Sequence, residues 1–146
     1  MKQNIVIGSD HGGFELKEFF KQYLKNEGYL IDDIGTMTTE SCDYPDIANK
    51  LAIYIKKNPS TLGILICGTG VGMSIAVNRY PFIRGALLYS TDEAVLAREH
   101  NDANVIIFGA RMFENKENLD FLNAFLTANF SQEERHKKRI EKLYSY

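Results

Sequence analysis

The sequence predicts an α/β fold, specifically a three-layer α/β/α Rossmann-like sandwich with a five-stranded parallel sheet. Short β-branched runs that end in glycine or a polar turn alternate five times with longer, helix-forming segments. This alternation requires parallel strands joined by right-handed crossovers, which place helices on both faces of the sheet. No linker, repeat or low-complexity segment interrupts the 146 residues, so a single domain is expected over residues 1–146.

The first half of the chain supplies two strand–helix units. The first strand is β-branched and ends at Gly8, and the first helix carries its large apolar residues at helical spacing, with Lys17 off that face. Gly28 is a favourable residue to end this helix. Residues 35–45 are rich in Thr, Ser and Asp, which predicts a loop. The predicted elements are the strands Asn4–Gly8 and Tyr29–Ile34 and the helices Phe14–Glu27 and Ile47–Lys57.

The second half follows the same alternation. Its third strand is the apolar run that begins at Gly63 and precedes a glycine-rich turn. Thr91 is a suitable N-cap for the helix that ends near His100, and Ser131 with Glu134 forms a capping box for a charged final helix. The other predicted elements are the strands Arg84–Tyr89 and Val105–Phe108 and the helix Leu119–Phe130.

Composition excludes several classes of protein. Apolar residues make up 45% and charged residues 25% of the chain, which is typical of a soluble globular protein. The formal net charge of −2 gives no basic field for nucleic acid, and no apolar run approaches the roughly 20 residues of a membrane helix. The N-terminal apolar stretch is too short for a signal peptide. Cys42 and Cys67 form neither a disulfide framework nor a metal motif, so we expect a cytoplasmic protein with free thiols.

The stretch Gly63–Met73 is the strongest functional signal. It begins as a strand, breaks into alternating glycines and continues as a short helix-forming segment. Backbone N–H groups at the start of such a helix point at bound negative charge, so the stretch predicts an anion-binding cradle. Cys67 stands at the carboxyl end of the strand, the edge of a parallel sheet where ligands bind. A thiolate there is able to act as nucleophile or base, whereas the alternative is a buried structural cysteine.

The three glycines of the turn leave two further interpretations open. Gly68, Gly70 and Gly72 form G-x-G-x-G, one position away from the dinucleotide-binding fingerprint, and Asp92 lies near the distance at which that fingerprint places an acidic residue. A nucleotide-binding module is therefore one alternative, although the turn follows the third strand rather than the first. The other alternative is a tight turn that needs a positive φ, but one glycine would satisfy it.

Other strand ends also present reactive side chains. Asp10 and His11 follow the first strand and are suited to bind or exchange protons with a hydroxylated ligand, although Asp10 is also suited to cap the next helix. Arg111 follows the fifth strand. His100 instead precedes that strand, at the opposite edge of the sheet, so in one chain we expect it to lie far from Cys67. His100 is then either irrelevant to the site or supplied to it by a second chain.

The last helix carries two arginines on one face. Arg135 and Arg139 are four residues apart, which places them side by side on a helix. Two guanidinium groups in this arrangement can grip a phosphate, whereas the alternative is a solvated basic face with Lys137 and Lys138. His136, between the arginines, is expected on the surface.

Together these candidates suit a small, anionic, hydroxylated ligand. A sugar phosphate that transfers a proton next to its carbonyl group would use a thiol base, amide donors for the enediolate oxygens and cations for the phosphate. The carbon acid is weak, so its deprotonation depends on stabilising the enediolate. The phosphate supplies binding energy away from the reacting carbons.

Six short segments stand along the chain in a specific order and spacing, namely Ser9–Gly13, Asp43–Pro45, Ile66–Gly72, Ile83–Arg84, His100–Val105 and Arg135–Arg139. Together they resemble the ribose-5-phosphate isomerase B family, which includes allose-6-phosphate isomerases and the subunits of galactose-6-phosphate isomerase. The resemblance implies one sugar-phosphate isomerase domain that uses no metal and no organic cofactor. It also implies an active site at the interface of a homodimer, with a tetramer left open.

The resemblance implies a role for each matching residue. Cys67 would move the proton between C1 and C2, and His100, supplied by the neighbouring chain, would help to open the furanose ring. The enediolate would be held by the turn, that is by Thr69 and the amides of Gly68, Gly70, Val71 and Gly72. The other substrate-binding residues would be Asp10, His11, Tyr44 and Asn101 for the sugar and Arg111, Arg135 and Arg139 for the phosphate.

Met73 assigns the chain to one type within this family, whereas Glu133 and Glu134 depart from the family pattern. Members that lack the cysteine carry a glutamate just after the glycine turn, where this chain has Met73, so it resembles the cysteine type. Glu133 and Glu134 stand where the family commonly has two glycines. The expected activity is the interconversion of ribose 5-phosphate and ribulose 5-phosphate. The open alternatives are a hexose 6-phosphate such as allose 6-phosphate, a nucleotide-binding module, and an inactive subunit that needs a different partner chain.

Overall fold

The computed structural model describes residues 2–146, and its secondary structure follows the predicted alternation of strands and helices. A short 3-10 turn, His11–Gly13, separates the first strand from the first helix. The strands are β1 (Ile5–Ser9), β2 (Ile31–Asp33), β3 (Leu62–Cys67), β4 (Gly85–Leu87) and β5 (Val105–Gly109). The helices are α1 (Phe14–Asn26), α2 (Tyr44–Lys57), α3 (Val71–Val77), α4 (Thr91–Asn101), α5 (Asn115–Thr127) and α6 (Glu134–Leu143).

The five strands form one parallel sheet in the order β2-β1-β3-β5-β4, which confirms the predicted Rossmann-like sandwich. Helices α1, α4 and α5 cover one face and α2 and α3 the other, so two separate apolar layers bury the sheet. Phe20 on α1 meets Phe108 on β5 edge to face, with ring centroids 4.8 Å apart. Burial of each such side chain stabilises the fold by about 1.5–3 kcal/mol. Among residues 2–146, no helix has both the length and the apolar composition that crossing a membrane requires.

The chain continues into helices on opposite faces of the sheet after β1 and after β3, and this reversal creates the crevice where the candidate site lies. β1 pairs with β2 on one side and with β3 on the other, so the segments that follow β1 and β3 diverge at their carboxyl ends. The register pairs Ser9 with Ile66 and Cys67 with Gly109, which brings the ends of β1, β3 and β5 to the same edge. The Asp10 N–H donates to the Ile66 carbonyl at 3.1 Å and joins the first turn to β3.

The starts of α2 and α4 differ from those expected from the sequence. α2 begins at Tyr44 rather than Ile47, because Pro45 fits the first turn of a helix, where its missing N–H is not needed. Thr91 is the first residue of α4 rather than its N-cap. The N-cap is Ser90, whose hydroxyl accepts a backbone N–H of the first turn at 3.1 Å. Tyr44 therefore stands on a helix and not in the predicted loop.

The starts of the last two helices also differ. α5 begins at Asn115 rather than Leu119, since two glutamates around its start form a capping box. The prediction that Ser131 caps the last helix is wrong, because the N-cap of α6 is Glu133. The Ser131 hydroxyl accepts the Glu133 N–H at 3.2 Å and bonds to His136 Nδ1 at 2.6 Å. Ser131 thus fixes a histidine side chain beside the helix.

Lys17 is buried, although the helical pattern places it off the apolar face of α1. Its side chain is 0% exposed, and Nζ lies 2.5 Å from Asp33 Oδ2 and 3.2 Å from Glu18 Oε1. Asp33 Oδ1 accepts the Gly35 N–H at 2.9 Å, and the Gly35 carbonyl accepts the Ser9 N–H at 2.8 Å. The buried cation thereby connects α1, through the loop after β2, to the end of β1 beside the candidate site.

Candidate active site

The predicted site residues form two groups at different places in the fold. The first group surrounds the glycine turn at the carboxyl edge of the sheet. The second lies where α4 ends and α6 begins, next to the amino end of β5. The first group comprises Asp10, His11, Tyr44, Cys67, Gly68, Thr69, Gly70, Val71, Gly72 and Arg111, and the second comprises His100, Asn101, Arg135 and Arg139.

The Cys67 sulfur faces the backbone of the turn that follows it. Sγ accepts the Gly70 N–H at 3.1 Å. Cys67 is 4% exposed and belongs to the apolar layer that also includes Met73. Gly70 has a φ of +80°, and a β-carbon there would lie 2.4 Å from Leu87 Cδ1, so conformation and space both require glycine. The turn therefore places an N–H donor against the sulfur of Cys67.

Thr69 and Tyr44 shape the rest of the turn. Thr69 Oγ1 accepts the Val71 N–H at 3.2 Å, so this amide of the predicted cradle is bonded within the turn. The Tyr44 ring lies against Gly72, where a β-carbon would be 2.7 Å from Tyr44 Cζ. Because Tyr44 opens α2 and Gly72 lies in the first turn of α3, the starts of the two helices meet here. Both side chains hold the backbone of the turn in one conformation.

Asp10 and His11 lie just after β1, beside the end of β3. Asp10 Oδ1 accepts the Gly13 N–H at 3.2 Å, so Asp10 caps the 3-10 turn. The expected alternative, that Asp10 caps the first helix, is wrong, because the N-cap of α1 is Gly13. His11 Nδ1 lies 3.2 Å from the Cys42 nitrogen and 3.3 Å from the Cys42 carbonyl oxygen. If Nδ1 accepts the Cys42 N–H, the ring proton lies on Nε2. The loop after β2 thus orients His11, a contact that no spacing in the sequence indicated.

Arg111 places a positive charge over the glycine turn. The backbone N–H of Arg111 donates to the Gly68 carbonyl at 2.9 Å. A β-carbon on Gly68 would lie 3.0 Å from Arg111 Nη1, and one on Gly12 would lie 3.3 Å from Nη2, so the guanidinium covers both glycines. Arg111, His11 and Glu15 line a cavity of about 290 Å³ next to the turn. A small anion in this cavity would meet a cation on one side.

His100 stacks on His136 at the end of α4. The ring centroids are 4.2 Å apart, and the ring planes differ by 32°. His136 is 3% exposed, so the expectation that it lies on the surface is wrong. The chain before α6 covers it, because the Ser131 N–H donates to the Glu99 carbonyl at 3.0 Å and holds this segment against α4.

The His136 ring has an orientation that its hydrogen-bond partners define. Burial lowers its pKa, and the neighbouring His100 and Arg135 lower it further. Arg135 Nε lies 3.3 Å from His136 Nε2 and can only donate, so Nε2 is the acceptor. Nδ1 then carries the proton and donates to the Ser131 hydroxyl at 2.6 Å. His100 therefore stacks on a ring whose own hydrogen bonds are already made.

Arg135 and Arg139 both lie on α6, but Arg135 already has an acidic neighbour. Its Nη1 lies 3.0 Å from Glu133 Oε2, and the two side chains are 60% and 50% exposed. An exposed pair of this kind contributes roughly 0–1 kcal/mol, so a bound phosphate can displace it.

The chain matches known proteins over nearly its whole length. The sequence model of the family described as Ribose/Galactose Isomerase matches residues 5–143. A probable ribose-5-phosphate isomerase B of Mycoplasma genitalium is 41% identical over 148 residues, which cover 100% of this chain and 97% of the relative. A putative sugar phosphate isomerase of Rickettsia conorii is 44% identical over 140 residues, which cover 96% of each protein.

Two solved structures have the same fold. The ribose 5-phosphate isomerase of Thermotoga maritima superposes with a TM-score of 0.95 at 44% identity, and the match covers 100% of both chains. Ribose-5-phosphate isomerase B of Mycoplasma genitalium, solved with bound ribulose-5-phosphate, superposes with a TM-score of 0.95 at 41% identity. That match covers 100% of this chain and 97% of the other.

Proposed function

We propose, since this chain belongs to the ribose/galactose isomerase family, that it interconverts ribose 5-phosphate and ribulose 5-phosphate. The observation that carries the proposal is the Cys67 sulfur at the end of β3, bonded to the Gly70 amide in a turn that the Arg111 guanidinium covers. A base, amide donors and a cation at one edge of the sheet are the groups that this isomerisation needs. Two free thiols suit the cytoplasm, where we expect the protein to act.

The reaction moves one proton between two neighbouring carbons of the open-chain sugar. The Cys67 thiolate takes the proton from C2 of ribose 5-phosphate, and the released electron pair forms the C1–C2 double bond as O1 becomes an enediolate oxygen. The thiol returns the proton to C1, and transfer of the O2 proton to O1 leaves the C2 carbonyl of ribulose 5-phosphate. The Thr69 hydroxyl and the turn amides other than those of Gly70 and Val71, which are bonded within the turn, stabilise the negative charge on the enediolate oxygens.

A second copy of the chain would bring the two groups of site residues together. Arg111 lies beside the turn that carries Cys67, whereas Arg135 and Arg139 lie beside His100 in the other group. All three arginines reach one phosphate if α6 of one copy approaches the glycine turn of the other. In this homodimer each active site takes its base from one copy and His100, which opens the furanose ring, from the other.

The surface around the turn supports such a dimer. Val71 and Ile75, on α3 directly after the glycine turn, are 47% and 63% exposed although both are apolar. Apolar side chains clustered beside a functional site are typical of a protein interface. In the resulting site, the sugar hydroxyls would meet Asp10 and His11 from one copy and Asn101 from the other, with Tyr44 along the wall.

The test is an isomerase assay of the purified protein, in which NMR follows both sugars of each pair. We expect ribose 5-phosphate to be converted with a kcat/KM about tenfold or more above that for allose 6-phosphate and galactose 6-phosphate, because one additional carbon misplaces the phosphate. A preference for a six-carbon sugar would transfer the assignment to a hexose-6-phosphate isomerase. No turnover of any of these sugars would overturn the proposal.

The nucleotide alternative is tested with the same protein. Thermal unfolding is measured with ribose 5-phosphate, NAD or ATP at equal concentrations, and stabilisation by the sugar phosphate alone is expected. Stabilisation by NAD or ATP without an effect of the sugar would favour a nucleotide-binding module.

A further inference from the structure

Arg84 precedes β4, and its guanidinium holds the end of the helix that carries His100. Arg84 Nε donates to the Asn101 carbonyl at 3.0 Å, and Nη2 donates to the Asp102 carbonyl at 2.7 Å. Nη1 donates to the Tyr144 hydroxyl at the end of α6. One side chain therefore connects the ends of α4 and α6, the two helices that carry the second group of site residues.

The turn after α4 has backbone groups that require such a partner. The last carbonyls of a helix have no partner within the helix. Asp102 also has a φ of 43° and a ψ of 47°, a left-handed conformation that residues other than glycine adopt rarely. A guanidinium is a planar fork that bonds two carbonyls at once in fixed directions, whereas an ammonium is a single charge on a flexible stem. An arginine at position 84 can therefore hold both carbonyls of the turn at once.

Arg84 is itself fixed in place by the strand that follows the turn. Its N–H donates to Asn104 Oδ1 at 2.7 Å, and the Asn104 N–H donates to the Arg84 carbonyl at 3.1 Å. Asn104 Nδ2 donates to the Phe82 carbonyl at 2.9 Å. The Arg84 side chain is 18% exposed. The guanidinium is thus held at one point relative to the start of β5.

We infer that Arg84 is a positioning residue for the isomerisation, which holds His100 and Asn101 of its own chain where they act on substrate bound by the second copy. This inference rests on the proposed function, because it requires an active site composed of two chains. Arg84 acts through the turn rather than on the substrate. The competing explanation is that Arg84 only stabilises the chain to which it belongs.

The first experiment compares three variants as homodimers, with kcat and KM measured on ribose 5-phosphate. Arg84→Met removes the fork and should lower kcat about 10²-fold, since a displacement of about 1 Å in a catalytic group costs that much. Arg84→Lys keeps the charge and should lose less. Arg98→Met is the matched control, because Arg98 bonds the Asp102 carboxylate at 2.7 Å rather than the carbonyls of the turn, and it should stay within about twofold of wild type. Equal losses in Arg84→Met and Arg98→Met would overturn the inference.

The decisive experiment uses two mixed dimers that contain the same substitutions in different arrangements. In the trans dimer one chain carries Cys67→Ala and the other carries Arg84→Met, so one site has an intact Cys67 opposite an intact His100 turn. In the cis dimer one chain carries both substitutions, so the intact Cys67 of the wild-type chain meets the disturbed turn. We expect the trans dimer to have about half the wild-type kcat and the cis dimer to be about 50- to 100-fold slower than the trans dimer, depending on the residual activity of the Cys67→Ala site.

A trans dimer slower than the cis dimer, or equal rates in the two, would overturn the inference. If Arg84→Met affected only the stability or the Cys67 of the chain that carries it, the trans dimer would be the slower one, because its one intact Cys67 lies in that chain. His100→Asn in place of Arg84→Met gives the control for the composite site. If His100→Asn shows no cis–trans difference, the proposed two-chain site fails; if it shows the difference and Arg84→Met does not, only the role of Arg84 fails. Should Arg84→Met not fold, Arg84→Lys takes its place, with the same order expected at a smaller ratio.

Discussion

Replacement of Asp33 by asparagine is expected to destabilise the protein more than replacement of Lys17 by methionine, although both changes break the same ion pair. In the Asp33→Asn variant the Lys17 side chain remains 0% exposed and keeps Glu18, at 3.2 Å, as its remaining ionic partner in residues 2–146. Removing one member of a buried pair costs about 3–5 kcal/mol, because the other charge is left uncompensated. We therefore expect the free energy of unfolding to fall by about 3 kcal/mol or more.

The Lys17→Met variant leaves Asp33 with its other partners. Lys21 Nζ lies 2.6 Å from Asp33 Oδ2, and the Gly35 N–H lies 2.9 Å from Oδ1. Methionine also fills most of the space of the lysine stem. The expected loss is about 1–2 kcal/mol, within the usual range for a single substitution. Lys21→Met, which removes the more exposed lysine, is the matched control and should cost about 1 kcal/mol or less.

The assay is urea unfolding at a fixed protein concentration, because the stability of a dimer depends on concentration. The pH adds a second test. Burial raises the pKa of Asp33, but hydrogen bonds from Lys17 and Lys21 outweigh it and hold the pKa below its usual range. A carboxylate with a lowered pKa contributes its full stability above the unfolded-state pKa, about 3.9, and loses it as the pH falls through the folded-state value.

The advantage of wild type over Asp33→Asn should therefore shrink as the pH falls below about 4. Two results would refute this reasoning. An equal or larger loss for Lys17→Met would mean that the Lys17 ammonium is not left uncompensated when Asp33 is removed. If the stability advantage of wild type over Asp33→Asn stayed the same below about pH 4, the ionised carboxylate of Asp33 would not be the source of that advantage.

Three further predictions concern the site. The lowered pKa of His136 makes the free energy of unfolding of wild type decline as the pH falls from about 6.5, the unfolded-state pKa, toward the folded-state pKa. His136→Gln should remove this decline, as measured by urea unfolding. Glu133→Gln should lower KM about two- to fivefold with kcat little changed in initial-rate assays, because it releases Arg135 for phosphate. Gly72→Ala should lower kcat/KM about tenfold in the same assays by displacing the Tyr44 ring, at an overpacking cost of about 1–3 kcal/mol.

Each of these predictions has a contradicting outcome. An unchanged pH profile in His136→Gln would mean that this ring does not titrate differently in the folded protein. A higher KM in Glu133→Gln would mean that Glu133 supports phosphate binding instead of competing with it. Full activity in Gly72→Ala would contradict the role of the contact between the Tyr44 ring and the turn. The same conclusion would follow if adding Tyr44→Ala to Gly72→Ala restored no stability.

The order of elements could be predicted from the sequence because its signals are local. Apolar periodicity and the glycine after each strand act within one segment, and they identified five strands and the helices between them. The order of the strands in the sheet is different, because β5 inserts between β3 and β4 through pairing of distant segments. Helix starts depend on single residues in or just before the first turn, so Pro45 and Ser90 shift the starts of α2 and α4 by up to three residues from the predicted ones.

The candidate site could be located from the sequence where its parts are contiguous. Cys67 and the glycines after it form one short stretch, and the edge of the sheet follows from the fold class. The burial of Lys17 and His136 was not predictable, because it depends on β2 and on the segment before α6, which pack against them from elsewhere. Arg84 stood in a recognisable segment, but its role became apparent from the carbonyls that it bonds at the end of α4.

The proton-transferring role of Cys67 is tested most directly with Cys67→Ala on ribose 5-phosphate, with turnover and binding measured on the same preparation. We predict that kcat falls by about 10²–10⁴-fold, the range for loss of a general base, while the Kd for ribose 5-phosphate changes less than about tenfold. Turnover within about tenfold of wild type would contradict the account and assign the proton transfer to another group.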